Sequence, residues 1–467
     1  MSLASTSNAD LSLIENNSPD FQKTYADYVN PQWVKLLSIL DMNKNFVSAQ
    51  GAELTTDDGK VYLDFLAGYG VYNIGHNHPY LAQELIRELQ SLRPSMLQSH
   101  VPGLAAQLAE RLCKISGGKL EKVYFGSSGS EGVETSIKFS RAFTKRGWIL
   151  YAEGAFHGLT CGALSLMSNP WWREQFGNLL EETKGIPFGN LEALKKELAT
   201  EKYAALILEP VQGESGVSVP SIEYLQEAQR LCEKHGTLLV IDEVQTGLHR
   251  TGEFIASHHF EIEPDILILA KALSGGHVPV GAVLMREDVY HSVYKSVDKA
   301  FVHASTFSEN ALAMRAGLAT LDVLENENLG EQSRAKGEFL RQALRNSLER
   351  FEFVKEIRGL GLMNGIVFKP PTSMSLKVLF SAFRHAHAGL FGQMIVRALF
   401  GEHQILSQMA GNDHMVIKVM PPLVVTEEQL LAYVSAIEQV CETIKNDKTK
   451  FWSQGATIAA KAFSLKG

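Results

Sequence analysis

Between residues 148 and 285, short apolar runs recur with helical stretches between them, and this alternation limits the folds open to the chain. Trp148–Ala152, Ala204–Leu208, Thr237–Ile241, Ile266–Ala270 and Gly281–Met285 each read as a short buried strand. Between two of them Ile222, Leu225, Ala228, Leu231 and Cys232 recur at helical spacing. Strands alternating with helices predict a largely parallel sheet covered on both faces. Ligands of such sheets gather at the carboxyl ends of the strands, and Glu209, Asp242 and Lys271 all fall there. The flanks differ. Phe46–Gly51 and Val61–Phe65, separated by Asp57-Asp58-Gly59, read as a hairpin. After about residue 325 the chain turns helix-rich and charged, then offers Glu356–Ile366 and a late strand at Met415–Val419. The expected division is an amino-terminal arm and part of a small domain over 1–75, a large domain over 76–325, and a carboxy-terminal small domain over 326–467. Within the last, 372–411 is an apolar insertion that reads as an amphipathic helix pair, with a lid or a partner surface as sharper alternatives.

The 467 residues, 45% hydrophobic and 21% charged, are enough for a large core, and the net charge of −8 argues against a nucleic-acid or membrane-surface binder. Cys113, Cys161, Cys232 and Cys441 are scattered, without metal spacing or a disulfide framework, which fits a reducing cytoplasm. No run predicts a membrane span, the first residues lack a secretory pattern, and about 20 of them, rich in Ser, Asn and Asp, read as a loose arm.

Lys271 closes the apolar run Pro264–Ala270 and precedes Ala272-Leu273-Ser274-Gly275-Gly276. Burial disfavours its ammonium form and frees a lone pair for a Schiff base with an aldehyde. Gly126-Ser127-Ser128-Gly129-Ser130 lies between an apolar run and a predicted helix containing Val133, Ile137 and Phe143. Small residues at a helix start let amides approach an anion, and Ser128 and Ser130 add hydroxyls; a plain capped turn uses the same residues. The stretch is neither a Walker loop nor GxGxxG, so a nucleotide is not indicated. Phe156 and His157, beyond the strand ending near Ala152, suit stacking on a planar group and positioning it; a core phenylalanine and a surface histidine is the bland alternative. Asp242 at a strand end needs a cation, which a protonated pyridine nitrogen or a basic side chain supplies. An anion cradle, an aromatic plate, an acid and an amine together answer the phosphate, ring, ring nitrogen and aldehyde of pyridoxal phosphate (PLP).

On these motifs, residues 45–445 resemble the class III, fold type I PLP-dependent aminotransferases. The most specific stretches are Leu238–Gly247 and Pro264–Gly276, with Leu208–Glu214 and Tyr69–His76 in support. Putrescine, ornithine and acetylornithine aminotransferases are nearest in flavour, and Tyr69–His76 leans toward diamine enzymes. The resemblance implies an α/β fold: a large, mostly parallel sheet domain and a smaller α+β domain built from both chain ends. It implies Lys271 and Asp242 as catalytic residues. It further implies a PLP site of Ser128, Gly129, Ser130, Phe156, His157, Glu209, Asp242, Val244, Gln245, Lys271 and Thr306. Here Lys271 binds the cofactor and shuttles the proton, Asp242 keeps the ring nitrogen protonated, and Gln245 bonds the ring hydroxyl. Phe156 and Val244 cover the two ring faces. Thr306 would come from a second subunit, making a homodimer or a dimer of dimers with shared sites. Tyr72, Glu214 and Lys418 are the implied substrate contacts.

The implied reaction passes an amino group between an amine or amino acid, terminal amines first, and a 2-oxo acid such as 2-oxoglutarate or pyruvate, in ping-pong half-reactions. An aminomutase, racemase or decarboxylase on the same scaffold is the alternative, and a non-catalytic binding protein a third. Neither a metal nor a nucleic acid is expected. Three departures stand out. Ser127 replaces a usual asparagine, Ser308-Glu309-Asn310-Ala311 replaces Gly-Gly-Asn-Pro, and Lys418 replaces an arginine that pairs with a glutamate matching Glu214. Lysine lacks the bidentate fork of arginine, so Lys418 and the 372–411 segment put the substrate in question. An amine with a long apolar chain fits that segment.

Overall fold

The computed structural model describes residues 21–97, 99–447, 451–455 and 457–458. The expected arm of about 20 amino-terminal residues lies outside them.

The central sheet has seven strands, ordered Lys122–Gly126, Gly281–Met285, Ile266–Leu269, Leu238–Asp242, Tyr203–Leu208, Trp148–Ala152 and Thr183–Ile186. The five from Ile266–Leu269 to Thr183–Ile186 pair in parallel, whereas Gly281–Met285 runs antiparallel to both neighbours. The mostly parallel α/β fold is therefore present. The reversal follows from the connection: Ile266–Leu269 is followed by the short 3₁₀ turn Lys271–Ser274, too brief for a crossover. Thr183–Ile186 was not expected as a strand; its Thr-Lys-Gly-Ile sequence carries little apolar signal, and it sits at the sheet edge.

The inner parallel strands are almost wholly apolar because each face is covered. Leu206, Leu208, Leu239 and Ile241 join one buried cluster, with Leu225, Ala228 and Leu231 of the helix Ile222–His235. That helix starts at the Ser221 cap and stops at Gly236 (φ 61°), while Ile222, counted in its apolar stripe, is exposed. Ala205, Ile207, Val240 and Ile268 join the opposite cluster, with Val133, Ile137 and Phe139 of the helix Gly129–Thr144. Strand alternation puts Asp242 on the face of Val240, at the amino terminus of Gly129–Thr144.

At the amino-terminal end, Phe46–Gln50 pairs with Glu53–Thr56, which pairs with Val61–Asp64. The expected hairpin is thus corrected to a three-strand meander. The tight turn at Gly51 (φ 58°) folds the chain back early, and Glu53–Thr56, half buried in alternation, occupies the position beside Val61–Asp64. Ile405–Leu406 adds in parallel to Val61–Asp64, bringing both chain ends into one sheet. A third, antiparallel sheet joins Val354–Leu360, Met363–Phe368, Val416–Val419 and Gln408–Met409. The 372–411 segment forms the helices Met374–Ala386 and Leu390–His403, whose Phe380, Phe383 and Phe391 pack with Phe451 and Trp452.

Candidate active site

One cavity of about 1220 Å³ opens along the carboxyl edge of the central sheet. Ser128, Gly129, Ser130, Phe156, His157, Glu209, Glu214, Asp242, Val244, Gln245 and Lys271 all line it. Five connections, far apart in sequence, converge because parallel strands end together.

Lys271 is a half-buried residue with φ 45°, in the left-handed region that a lysine rarely adopts. Such backbone strain persists only where packing overdetermines it, and it collects at functional sites. Gly276 follows at φ 90°, and a Cβ there would meet the Tyr72 ring at 2.4 Å, so the turn after Lys271 admits only glycine. Burial lowers the Lys271 pKa from its usual value, while Glu214 and Asp242 pull against it. The result favours a neutral amine.

Opposite, Asp242 accepts from Val244 N at 3.1 Å and pairs with His157 Nδ1 at 2.8 Å, both side chains being buried. Burial opposes the imidazolium, but the Asp242 carboxylate outweighs it and raises the His157 pKa. His157 Nε2 is buried without a partner among the described residues. Glu209 accepts from Phe156 N at 2.8 Å and Gly213 N at 3.4 Å, tethering the aromatic loop, and burial pushes its pKa up to about 7. The Phe156 ring meets Trp172 edge-on at 5.3 Å.

Ser128 caps the helix Gly129–Thr144, its Oγ accepting from Glu131 N at 3.2 Å. A Cβ on Gly129 would lie 2.8 Å from Val244 Cγ2, and one on Gly158 would lie 2.1 Å from Ser130 Oγ. These two glycines keep the helix start open beneath Val244. Gln245 Nε2 donates to Tyr69 O at 3.1 Å, which fixes its amide at the cavity wall.

Residues 40–441 match the family described as aminotransferase class-III. The chain belongs to the class III aminotransferases. It is 34% identical over 434 residues to putrescine aminotransferase of Pectobacterium atrosepticum, covering 90% of this chain and 88% of that one. It is 35% identical over 406 residues to acetylornithine aminotransferase of Methanocaldococcus jannaschii, covering 85% and 94%. It is also 35% identical over 452 residues to aminotransferase PigE of a Serratia species, covering 90% of this chain but 53% of that protein, so it spans about half the length of that relative. Among solved structures, ornithine aminotransferase of Toxoplasma gondii superposes with a TM-score of 0.81 at 28% identity, covering 94% and 98% of the two chains. A PLP-bound amine transaminase from an uncultivated Pseudomonas species gives 0.76 at 28% identity, covering 85% and 94%.

Pyridoxal phosphate is the cofactor of the class III aminotransferases, and this cavity fits it. The helix start cradled by Gly129 and Gly158 suits a phosphate. The Asp242–His157 pair suits a protonated ring nitrogen, and the lowered Lys271 amine suits an aldehyde.

Not every expected residue reaches the cavity. Tyr72 does not line it; its ring stacks on His76 at 3.9 Å, and Tyr69 occupies the wall instead. Gly68, Tyr69 and Gly70 all have positive φ (60°, 62° and 88°), which swings Tyr69 inward. A tyrosine between two glycines was the available signal. Thr306 is exposed and off this cavity, on a flank that also exposes Phe301 and Phe307. Trp172, whose Nε1 donates to Asn412 Oδ1 at 3.1 Å, had no periodic signal in the sequence.

Lys418 lies beyond Glu214, at a 2.5 Å ion pair, with its side chain 0% exposed and its ammonium 4.8 Å from the Tyr69 ring. Glu214 Oε2 accepts from Gly411 N at 2.9 Å. Burial works against the Glu214 carboxylate, but Lys418 prevails and lowers its pKa. Removing one partner of such a pair costs about 3–5 kcal/mol, whereas removing both is nearly neutral. Lys418→Met should therefore destabilise the fold by about 3–5 kcal/mol in chemical denaturation, and adding Glu214→Gln should restore most of it. A double variant no more stable than the single one would show that the pair is not the cause.

Proposed function

We propose that the protein is a PLP-dependent transaminase passing an amino group between a primary amine or amino acid, a terminal amine first, and a 2-oxo acid such as 2-oxoglutarate or pyruvate. The observation that carries this is Lys271, strained, with a lowered pKa, at the head of a cavity that also holds the Asp242–His157 pair. When bound, PLP supplies an aldehyde to receive the amine and a ring that accepts the electrons of the broken C–H bond.

The residues act around that chemistry. Lys271 Nζ would hold the cofactor aldehyde and would carry the proton taken from and returned to the substrate; such transfers contribute roughly 10²–10⁴-fold. Asp242, with His157 behind it, keeps a cationic ring nitrogen compensated. Ser128, Gly129 and Ser130 would hold the phosphate, Phe156 and Val244 would cover the ring, and Gln245 would orient its hydroxyl. Glu209 keeps the Phe156 loop seated.

In this reading residues 76–325 form the cofactor-binding unit, while 1–75 and 326–467 close the substrate side; the strand pairing between Val61–Asp64 and Ile405–Leu406 supports this. The working form is a homodimer in which Thr306 of a second copy completes the phosphate site, a role its exposed, apolar flank suits. The reading places the enzyme in the cytoplasm. No helix among the described residues is long and apolar enough to cross a membrane.

Purified holoenzyme should change its cofactor absorbance on addition of an amine donor, and a 2-oxo acid should restore it. If terminal amines, ω-amino acids and α-amino acids all leave the spectrum unchanged, the proposal is overturned.

A further inference from the structure

The cavity is larger than the roughly 300–1,000 Å³ usual for small-molecule sites, at about 1220 Å³. Lys271, Asp242, Glu209 and His157 share one end, and the rest of the wall is mainly apolar, with His277, His387, Gln393, Gln408 and His414 set into it. Leu36, Ile39 and Leu40 enter from the amino-terminal side, Leu390 and Met409 from the 372–411 segment, and Ile458 from the carboxy-terminal end. Trp171 stands at the rim, 70% exposed.

The charges on this wall are already engaged. Its described carboxylates are Glu209, Glu214 and Asp242. Glu209 accepts from Phe156 and Gly213 amides, Glu214 is held by Lys418 and Gly411 N, and Asp242 by His157 and Val244 N. A second ammonium, as on a diamine, finds no free carboxylate here. A distal carboxylate finds Lys418 wholly buried against Glu214, and Lys271 is the only lysine or arginine among the described residues of the wall. Either charge would be desolvated without an unengaged carboxylate, or a lysine or arginine beyond Lys271, to meet it, which is costly, whereas a hydrocarbon gains by burial.

We propose that the amino group is carried by a long-chain aliphatic primary amine, or in the reverse direction is delivered to the matching aldehyde, with the hydrocarbon body filling the outer cavity. This rests on the transaminase reading and names its substrate class. The exchange balances as R–CH2–NH2 plus R′–CO–COO⁻ giving R–CHO plus R′–CH(NH2)–COO⁻. The amine carbon is oxidised by two electrons, losing one C–H hydrogen and exchanging its amino group for oxygen, and the oxo carbon of the 2-oxo acid is reduced by two electrons, gaining one hydrogen and the amino group in place of its oxygen. The water taken up to release the aldehyde is returned when the oxo acid condenses.

The test is the half-reaction of holoenzyme with n-alkylamines from propylamine to decylamine, beside diamines and ω-amino acids of matched length. The second-order rate constant should rise about fourfold per methylene, equivalent to about 0.8 kcal/mol for each buried CH2, and monoamines should exceed matched diamines and ω-amino acids. Leu36→Asp and Trp171→Ala should each depress the decylamine rate more than the propylamine rate. Tryptophan fluorescence of holoenzyme titrated with unreactive n-alkanols should show tighter binding with each added carbon. A flat length dependence, or faster diamines or ω-amino acids, overturns this inference and leaves the transaminase standing. A cofactor spectrum that no donor changes overturns the reading beneath it.

Discussion

Lys271→Ala should reduce turnover by at least about 10³-fold while leaving a folded, cofactor-binding protein. The expectation combines two losses. The amine that attaches the aldehyde disappears, and so does the proton carrier, a function worth roughly 10²–10⁴-fold by itself. Stability should not fall in step. The native lysine is strained at φ 45° and burial disfavours its charge, so the fold gains nothing from the ammonium. Lys271→Gly should be more stable than Lys271→Ala by about 1 kcal/mol, because glycine adopts positive φ without steric cost. Both variants should respond to added small amines such as methylamine with partial recovery of the proton-transfer step, since the vacated volume admits a substitute base. Single-turnover absorbance and thermal denaturation measure the two effects separately. Retained turnover in Lys271→Ala would remove this residue from the mechanism.

The cofactor end of the site was legible in the sequence because its residues are anchored to strand ends. Asp242 is the last residue of Leu238–Asp242, and Lys271 lies just past Ile266–Leu269, so apolar runs alone locate both. Ser128 was legible at the helix start because a small polar residue before a helical stripe reads as a cap. What escaped depends on geometry between elements. Tyr72 and Tyr69 share one short motif, and only the positive φ values of Gly68 and Tyr69 decide which ring turns inward. The direction of Gly281–Met285 is set by the brevity of its connection, while its composition suits either orientation. The 372–411 segment illustrates a similar ambiguity. Its helices bury phenylalanines against Phe451 and Trp452, as an amphipathic pair should, while the bend at Ala386–Leu390 and the strand residues Gln408 and Met409 line the cavity. Hydrophobicity alone does not separate a packing face from a substrate wall.

Asp242→Asn is the substitution that separates charge from shape at the ring-nitrogen end. The amide keeps the volume of the carboxylate and can still accept from Val244 N, which Asp242 does at 3.1 Å. What it loses is the negative charge facing His157, which in the proposed mechanism also compensates the ring nitrogen. An uncompensated charge in a buried site costs about 3–5 kcal/mol, so kcat should drop about 10²–10⁴-fold while cofactor remains bound through Lys271 and the phosphate cradle. A second readout follows from His157. In the native protein Asp242 raises its pKa against the effect of burial; in the variant only Glu209 still opposes burial, and the imidazole pKa should fall relative to the native protein, visible by NMR. The sign of the stability change follows. A raised histidine pKa contributes stability that is fully present below the unfolded pKa and is lost as pH rises through the folded one. The native protein should therefore exceed Asp242→Asn most in acid, with the difference narrowing as pH climbs past the His157 titration. A variant with native kcat, or an imidazole pKa that stays raised, would show that the Asp242 charge does not govern this end of the site.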